Sequence, residues 1–191
     1  MISRLLRAPL TWLVIAVLGV GVALGLYWFQ PWKLVTDNRV DEELSAVAAP
    51  TTTPAAPVGT AGPTAAPGPT VTGPSLVRRG EFVSHEHDTA GTARIVRGAD
   101  GGYRLELVGL ATSNGPDLRV WLTDQPVRAG RASWDVFDDG RWVEVGRLKG
   151  NRGDQAYPIP AGVDLAGLTS VAIWCKRFGV SFGAAPLTPA S

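Results

Sequence analysis

Hydrophobic and polar residues follow three different patterns along this chain. Residues 8–32 carry no charge, and Leu10–Phe29 is built mostly of Leu, Val, Ile, Ala and Gly (LTWLVIAVLGVGVALGLYWF). About 20 apolar residues in a helix cross the roughly 30 Å hydrocarbon core of a bilayer while satisfying their own backbone hydrogen bonds. The pattern therefore predicts a transmembrane helix over 10–29. Trp12 stands near its entry, and Tyr27, Trp28, Phe29 and Trp32 crowd its exit, where amphipathic rings favour the headgroup layer. Arg4 and Arg7 precede the run; Asp37, Asp41, Glu42 and Glu43 follow it. That asymmetry keeps residues 1–9 in the cytoplasm and places the rest outside. A cleaved signal peptide has a shorter apolar core, and the small residues Ala23-Leu24-Gly25 lead here into Tyr27-Trp28-Phe29, which suits a membrane exit better than a peptidase site.

The second pattern is an absence of pattern. Residues 30–43 form a juxtamembrane segment, and 44–77 have no charge; Pro50, Pro54, Pro57, Pro63, Pro67, Pro69 and Pro74 are interspersed with Thr, Ala and Gly. So few large apolar side chains do not offset the entropy of ordering a backbone, so 44–77 reads as a disordered linker stiffened toward polyproline II. At about 3.1 Å per residue it would reach on the order of 100 Å. Its Thr and Pro also suit O-glycosylation.

The third pattern has a period of two. Tyr103, Leu105 and Leu107 alternate with Arg104 and Glu106; Leu118, Val120 and Leu122 alternate with Arg119, Trp121 and Thr123; Trp142, Val143 and Val145 flank Glu144. These are half-buried strands. Asp100-Gly101-Gly102 and Asp138-Asp139-Gly140 supply residues that tolerate the positive φ of hairpin turns. No stretch sustains helical spacing over three turns. Residues 78–187 are thus expected to form one all-β domain, an antiparallel β-sandwich or small barrel, followed by a short tail at 188–191.

Charge and motifs narrow the function. With 18 basic and 17 acidic residues well mixed, net +1, there is no clustered basic face for nucleic acid. The sequence holds no GxxxxGK loop, HExxH helix, GxSxG elbow or CxxC pair, which argues against an ordinary hydrolase or nucleotide enzyme.

The one cysteine, Cys175, stands out in an exported protein, where close thiols usually pair as disulfides. In SVAIWCKRF, Val171, Ile173 and Cys175 share one strand face and Ala172 and Trp174 the other, so the sulfur points with the aliphatic residues. It is either a small packed hydrophobe or an accessible thiol whose thiolate Lys176 and Arg177 favour. His85 and His87 are the other soft ligands; as His-x-His they would face one side of an extended chain, or else lie in a solvated loop. A copper site lacks its axial methionine, the only one being Met1, and no dedicated metal site is expected. Haem iron accepts Cys175, His87 or both as axial ligands, without covalent attachment. Phe82, Trp121, Trp134, Trp142, Trp174, Phe178 and Phe182 would then line its cleft, or otherwise form plain core. Asp117 in Gly115-Pro116-Asp117 serves a site or caps a turn. Asp135, Asp138 and Asp139 lack the spacing of a recognised calcium loop, and Arg152-Gly153-Asp154 matches an adhesion tripeptide by chance.

Four blocks in order resemble a known family: Gly80-x-Phe82-x4-His87-x3-Gly91-x-Ala93-x-Ile95; Asn114-Gly115-Pro116-Asp117-Leu118-x-Val120-x-Leu122; Gly146-x-Leu148-Lys149-Gly150-x2-Gly153-x-Gln155-x-Tyr157-x-Ile159-Pro160; and Val171-x-Ile173-Trp174-Cys175-x2-Phe178-x-Val180-x-Phe182-Gly183-x-Ala185-x-Leu187. Together they resemble the DM-thirteen domain. The resemblance implies a component of a proposed electron-transfer system, found beside haem-binding DOMON domains in animals and as membrane-anchored single domains in bacteria. It also implies that Cys175 is the family's characteristic cysteine, a redox thiol or the ligand of a prosthetic group such as haem, and that His87 is its recurrent histidine, while His85 falls where the motif is free. The expected function is a membrane-anchored, extracytoplasmic redox module with a redox partner protein. The alternative is a non-redox extracytoplasmic binding module in which Cys175 is merely packed.

Overall fold

The computed structural model describes residues 9–47 and 73–190. Arg4, Arg7 and residues 48–72, which make up most of the proposed linker, lie outside the described residues. Helix α1 (Pro9–Phe29) covers the expected apolar run; none of its side chains is buried, and it is long and apolar enough to cross a membrane. A short 3-10 turn, Pro31–Val35, follows.

The rest is a β-sandwich. Its strands are β1 (Arg39–Asp41), β2 (Ser75–Glu81), β3 (Val83–Ser84), β4 (Ala90–Arg97), β5 (Tyr103–Ala111), β6 (Leu118–Thr123), β7 (Trp142–Arg147), β8 (Arg152–Pro158), β9 (Ser170–Cys175), β10 (Val180–Pro186) and β11 (Thr188–Pro189). One sheet runs β1-β8-β5-β4-β2-β11, the other β3-β10-β9-β6-β7. Every neighbouring pair is antiparallel except β1 with β8. The alternation read from the sequence decides the faces: Ala93, Ile95, Leu105, Leu107 and Tyr157 from the first sheet meet Val120, Leu122, Val171, Ile173 and Phe182 from the second in a fully enclosed core. Asp100-Gly101-Gly102 does turn β4 into β5, with Gly101 at φ +80°. Asp138-Asp139-Gly140 does not make a two-residue hairpin. It closes the long connection 124–141, whose Phe137, Val127 and Val136 cover a second apolar cluster of Trp121, Ala172, Trp174 and Ala184 on the outer face of the second sheet.

The segment that follows α1 is part of this architecture. Arg39, Val40 and Asp41 pair in register with Arg152, Gly153 and Asp154, and the amide of Glu42 extends the ladder to the Asp154 carbonyl at 2.9 Å. Two glycines of the third sequence block make room for it: a Cβ on Gly150 would lie 2.4 Å from the Asn38 carbonyl oxygen, and one on Gly153 2.1 Å from that of Val40. Around the strand, Asn151 donates to the Asp37 carboxylate (2.7 Å) and accepts from the Asn38 amide (2.6 Å), and Lys149 reaches the Glu42 carboxylate at 2.7 Å. Further on, the Ser45 amide donates to Glu106 (2.9 Å), which is wholly buried and held by Arg94 (2.7 Å). The strand pattern had put Glu106 on a solvated face; residues 42–45 cover that face. The turn that receives β1 is stapled by Gln155, whose Oε1 accepts from the Lys149 and Gly150 amides and the Tyr157 hydroxyl while Nε2 donates to the Gly150 carbonyl.

Residues 48–72 consequently connect two segments that are both seated on the sandwich, β1 with Ser45 on one side and β2 on the other. They do not stand in series between α1 and the domain.

Replacing Gly153 by Val puts a β-branched residue at φ +96° against backbone, a conformation that costs on the order of 1–3 kcal/mol even without the clash. The expected outcome in the full chain is a destabilised domain with faster amide hydrogen exchange at Glu42 and Ser45; unchanged exchange there would show that β1 is not held by this strand.

Candidate functional site

All six residues of β9 are buried, because β6 and β10 flank it and both sheet faces are covered. Cys175 ends the strand in a row with Leu118 of β6 and Val180 of β10, and its sulfur faces the inter-sheet core as the alternation predicted. Its exposure is 0%. The chain then folds back: the Cys175 carbonyl accepts from the amides of Phe178 (3.2 Å) and Gly179 (2.9 Å), and the Lys176 amide donates to the Asp117 carbonyl (3.0 Å). Burial pushes the thiol pKa up, and the Glu86 charge adds to the rise; the backbone amides of Phe178, Arg177 and Asp117 pull the other way without reversing it. The alternative in which Lys176 and Arg177 favour the thiolate finds no support, since neither charge lowers the thiol pKa. Lys176 is exposed, while the Arg177 guanidinium lies 4.8 Å from the Trp28 ring and donates to the Trp28 carbonyl. A neutral thiol without solvent contact is a poor nucleophile, so Cys175 is not placed for thiol–disulfide exchange.

The two histidines part company. His87 lies with its ring centroid 3.9 Å from that of Phe182, which belongs to the same core cluster as Cys175; no hydrogen bond among the described residues joins His87 to Cys175. His85 is buried rather than solvated. It stacks on Phe137 at 5.5 Å, its Nε2 lies 3.1 Å from the Arg128 carbonyl and its Nδ1 3.0 Å from the Ser181 hydroxyl. A carbonyl only accepts, so Nε2 carries the proton and Nδ1 accepts from Ser181: the ring is satisfied as neutral imidazole. The pair therefore forms no His-x-His site. Among the described residues no three His, Cys, Asp or Glu side chains converge on a metal position.

Haem fares no better on geometry. The aromatic residues expected to line its cleft disperse: Phe82 and Phe182 fill the core, Trp121 and Trp174 pack on the outer face of the second sheet, and Phe178 is 49% exposed beside Phe29. An open polar cleft of about 640 Å³ is lined by Asp37, Asp88, Thr112, Asn114 and Arg152 but by neither Cys175 nor His87. These residues do not form a haem pocket around either candidate ligand.

Two features escaped the sequence. Trp142, 39% exposed, stacks on Trp121 at 4.1 Å and 6° between planes, and Trp121 stacks on Trp174 at 5.0 Å. Three indoles thus run from the surface to the residue covalently adjacent to Cys175. The strand register that aligns them was the missing information. Around them Asp117, Arg119 and Glu144 form an ion-pair row, with Arg119 at 2.8 Å from Asp117 and 2.6 Å from Glu144, while Glu144 also accepts from the Trp121 indole at 3.3 Å. Burial works to raise the Asp117 carboxyl, but Arg119, by hydrogen bond and charge, with Arg147 and Arg177, holds it below its ordinary value.

The profile of the electron transfer DM13 family matches residues 81–187, more than half of the 191-residue chain. The chain belongs to the DM13 family. No curated protein and no solved structure matches it. The match covers the sandwich from the end of β2 through β10; α1 and β1, which docks on Gly150 and Gly153, lie outside the matched region.

His85 supplies a pH dependence. Burial lowers its pKa below the ordinary 6.5, with the Arg128 carbonyl opposing in part, so between the folded and unfolded pKa values the unfolded chain binds the extra proton. The stability that depends on neutral His85 is complete above about pH 6.5 and is lost as pH falls below it. Denaturant unfolding of the full chain is expected to show a lower midpoint at pH 5 than at pH 7.5, with the difference reduced in His85→Gln; an equal pH response in that variant would remove His85 as the cause.

Proposed function

We propose that this DM13 protein is a membrane-anchored electron-transfer module, its sandwich outside the cytoplasm, in which Cys175 is the redox-active centre. The observation that carries the reading is the covalent adjacency of Cys175 to Trp174, the inner indole of the Trp174–Trp121–Trp142 stack, whose rings lie on the opposite face of the sheet from the buried sulfur. Electrons cross a packed interior that molecules do not enter, so complete burial bars a partner thiol while leaving a path through stacked rings. One-electron oxidation of the thiol releases one electron and one proton and leaves a sulfur radical. The electron leaves through the indoles to a one-electron oxidant at Trp142, and the proton is released to a base in the medium. A one-electron donor with a proton restores the thiol. Family membership supports the electron-transfer class, and the basic N-terminus before α1 supports the orientation.

Burial of Cys175 also favours a second reading, a non-redox extracytoplasmic module whose cysteine is a small packed hydrophobe. Flash oxidation of the full chain by a photogenerated one-electron oxidant separates the two. The first reading expects a tryptophan radical that decays into a sulfur-centred one, a decay slowed at least several-fold in Cys175→Ser, with Trp142→Phe slowing the initial oxidation. Identical tryptophan-radical decay in wild type and Cys175→Ser would overturn it and leave the packed-cysteine reading.

A further inference from the structure

We infer that the Lys176–Gly179 turn is a membrane-contact surface, seated on the headgroup layer in which α1 ends, so that the Cys175 end of the sandwich faces the bilayer.

The first support is topological. Residues 30–38 alone separate the end of α1 from β1, which is locked into the first sheet. A fully extended chain of that length spans only on the order of 30 Å, and the 3-10 turn at Pro31–Val35 shortens it further. The sandwich is therefore held close to the point where the apolar run stops.

Its orientation follows from hydrogen bonds. The Asn114 side chain donates to the Thr36 carbonyl (3.3 Å), that of Asn38 to the Lys149 carbonyl (2.8 Å), the Thr112 amide to the Asn151 carbonyl (2.9 Å) and the Lys176 amide to the Asp117 carbonyl (3.0 Å). These bonds gather the β5–β6, β7–β8 and β9–β10 connections at the end that receives the chain from α1. The β4–β5 turn at Gly98–Gly102 lies at the opposite end, because β5 runs from Tyr103 there to Ala111 opposite Arg152.

Direct contact completes the placement. The Phe178 ring stacks on Phe29, the last residue of α1, at 6.1 Å, and Arg177 lies over Trp28. Phe178, Trp28, Phe29 and Trp32 are all exposed large aromatics, gathered at the level where aromatic side chains favour the headgroup region. Lys33, Lys176 and Arg177 supply cations beside them, while the nearby Asp117 carboxylate is taken up by Arg119 and Arg147. Exposed aromatic rings rimmed by cations match an anionic headgroup surface. The occupant is the bilayer that holds α1, and the inference rests on α1 being a membrane anchor.

The test uses the full chain in nanodiscs of phosphatidylcholine and phosphatidylglycerol doped with a nickel-chelating headgroup lipid. Spin labels are placed by Lys176→Cys in the turn and, separately, by Asp100→Cys at the far end; buried Cys175 stays unlabelled under native conditions. Relaxation enhancement by nickel is expected to be several-fold stronger at position 176 than at 100. Equal enhancement, with the chain still floating with the lipid, overturns the contact alone. A chain that does not float with lipid overturns the anchor and the contact with it.

Discussion

The parallel pairing of Arg39–Asp41 with Arg152–Asp154 determines where the rest of the molecule sits. Without it, the sandwich would hang from α1 on a chain of several tens of residues. With it, residues 30–38 become the whole connection, and 48–72 become an excursion between two anchored points. The pairing needs backbone approach at Gly150 and Gly153, where any side chain would collide with the Asn38 or Val40 carbonyl. It also needs a fixed turn beneath it, supplied by Gln155, whose amide group bonds at both ends to the Lys149–Gly150 backbone. Each such backbone bond contributes about 0.5–1.5 kcal/mol net, and a buried partner left unsatisfied costs more. The motif residues Gly150, Gly153 and Gln155 of this block thus have a mechanical role.

Most of the sandwich was legible because one face of nearly every strand is buried, and burial writes itself as alternation. Leu105 and Leu107, Leu118 through Leu122, and Val171 through Cys175 all point as their spacing required. The helix was legible because it lacks charge. What the sequence hid was contact between distant segments. β1 is three residues of mixed polarity with no periodicity of its own, and Glu106 reads as solvated unless residues 42–45 are known to cover it. The connection 124–141 covers the outer face of the second sheet, so His85, Trp121 and Trp174 are buried on a side that alternation alone assigns to solvent.

The site was legible as residues and not as an arrangement. Cys175 stood out as the sole cysteine of the chain, and its facing was correct, but no local pattern gives the depth of burial or the carbonyl and amide contacts of the following turn. His85 and His87 are adjacent in spacing yet project into different clusters, because the chain there leaves the sheet: the amides of both donate to the same Phe182 carbonyl instead of continuing a ladder. The indole stack depends on the offset between β7, β6 and β9, which only the three-dimensional register provides. Burial and the indole stack together are what the proposal of electron movement, rather than thiol chemistry, rests on. The membrane-facing turn would place that centre a short distance from the headgroups.

Neutron reflectometry of the full chain in a supported bilayer measures the vertical arrangement directly. The account predicts a protein layer that begins at the headgroups with no intervening solvent. A water-filled gap of several tens of ångströms between bilayer and protein, as expected of a polyproline-like spacer in series, would contradict it.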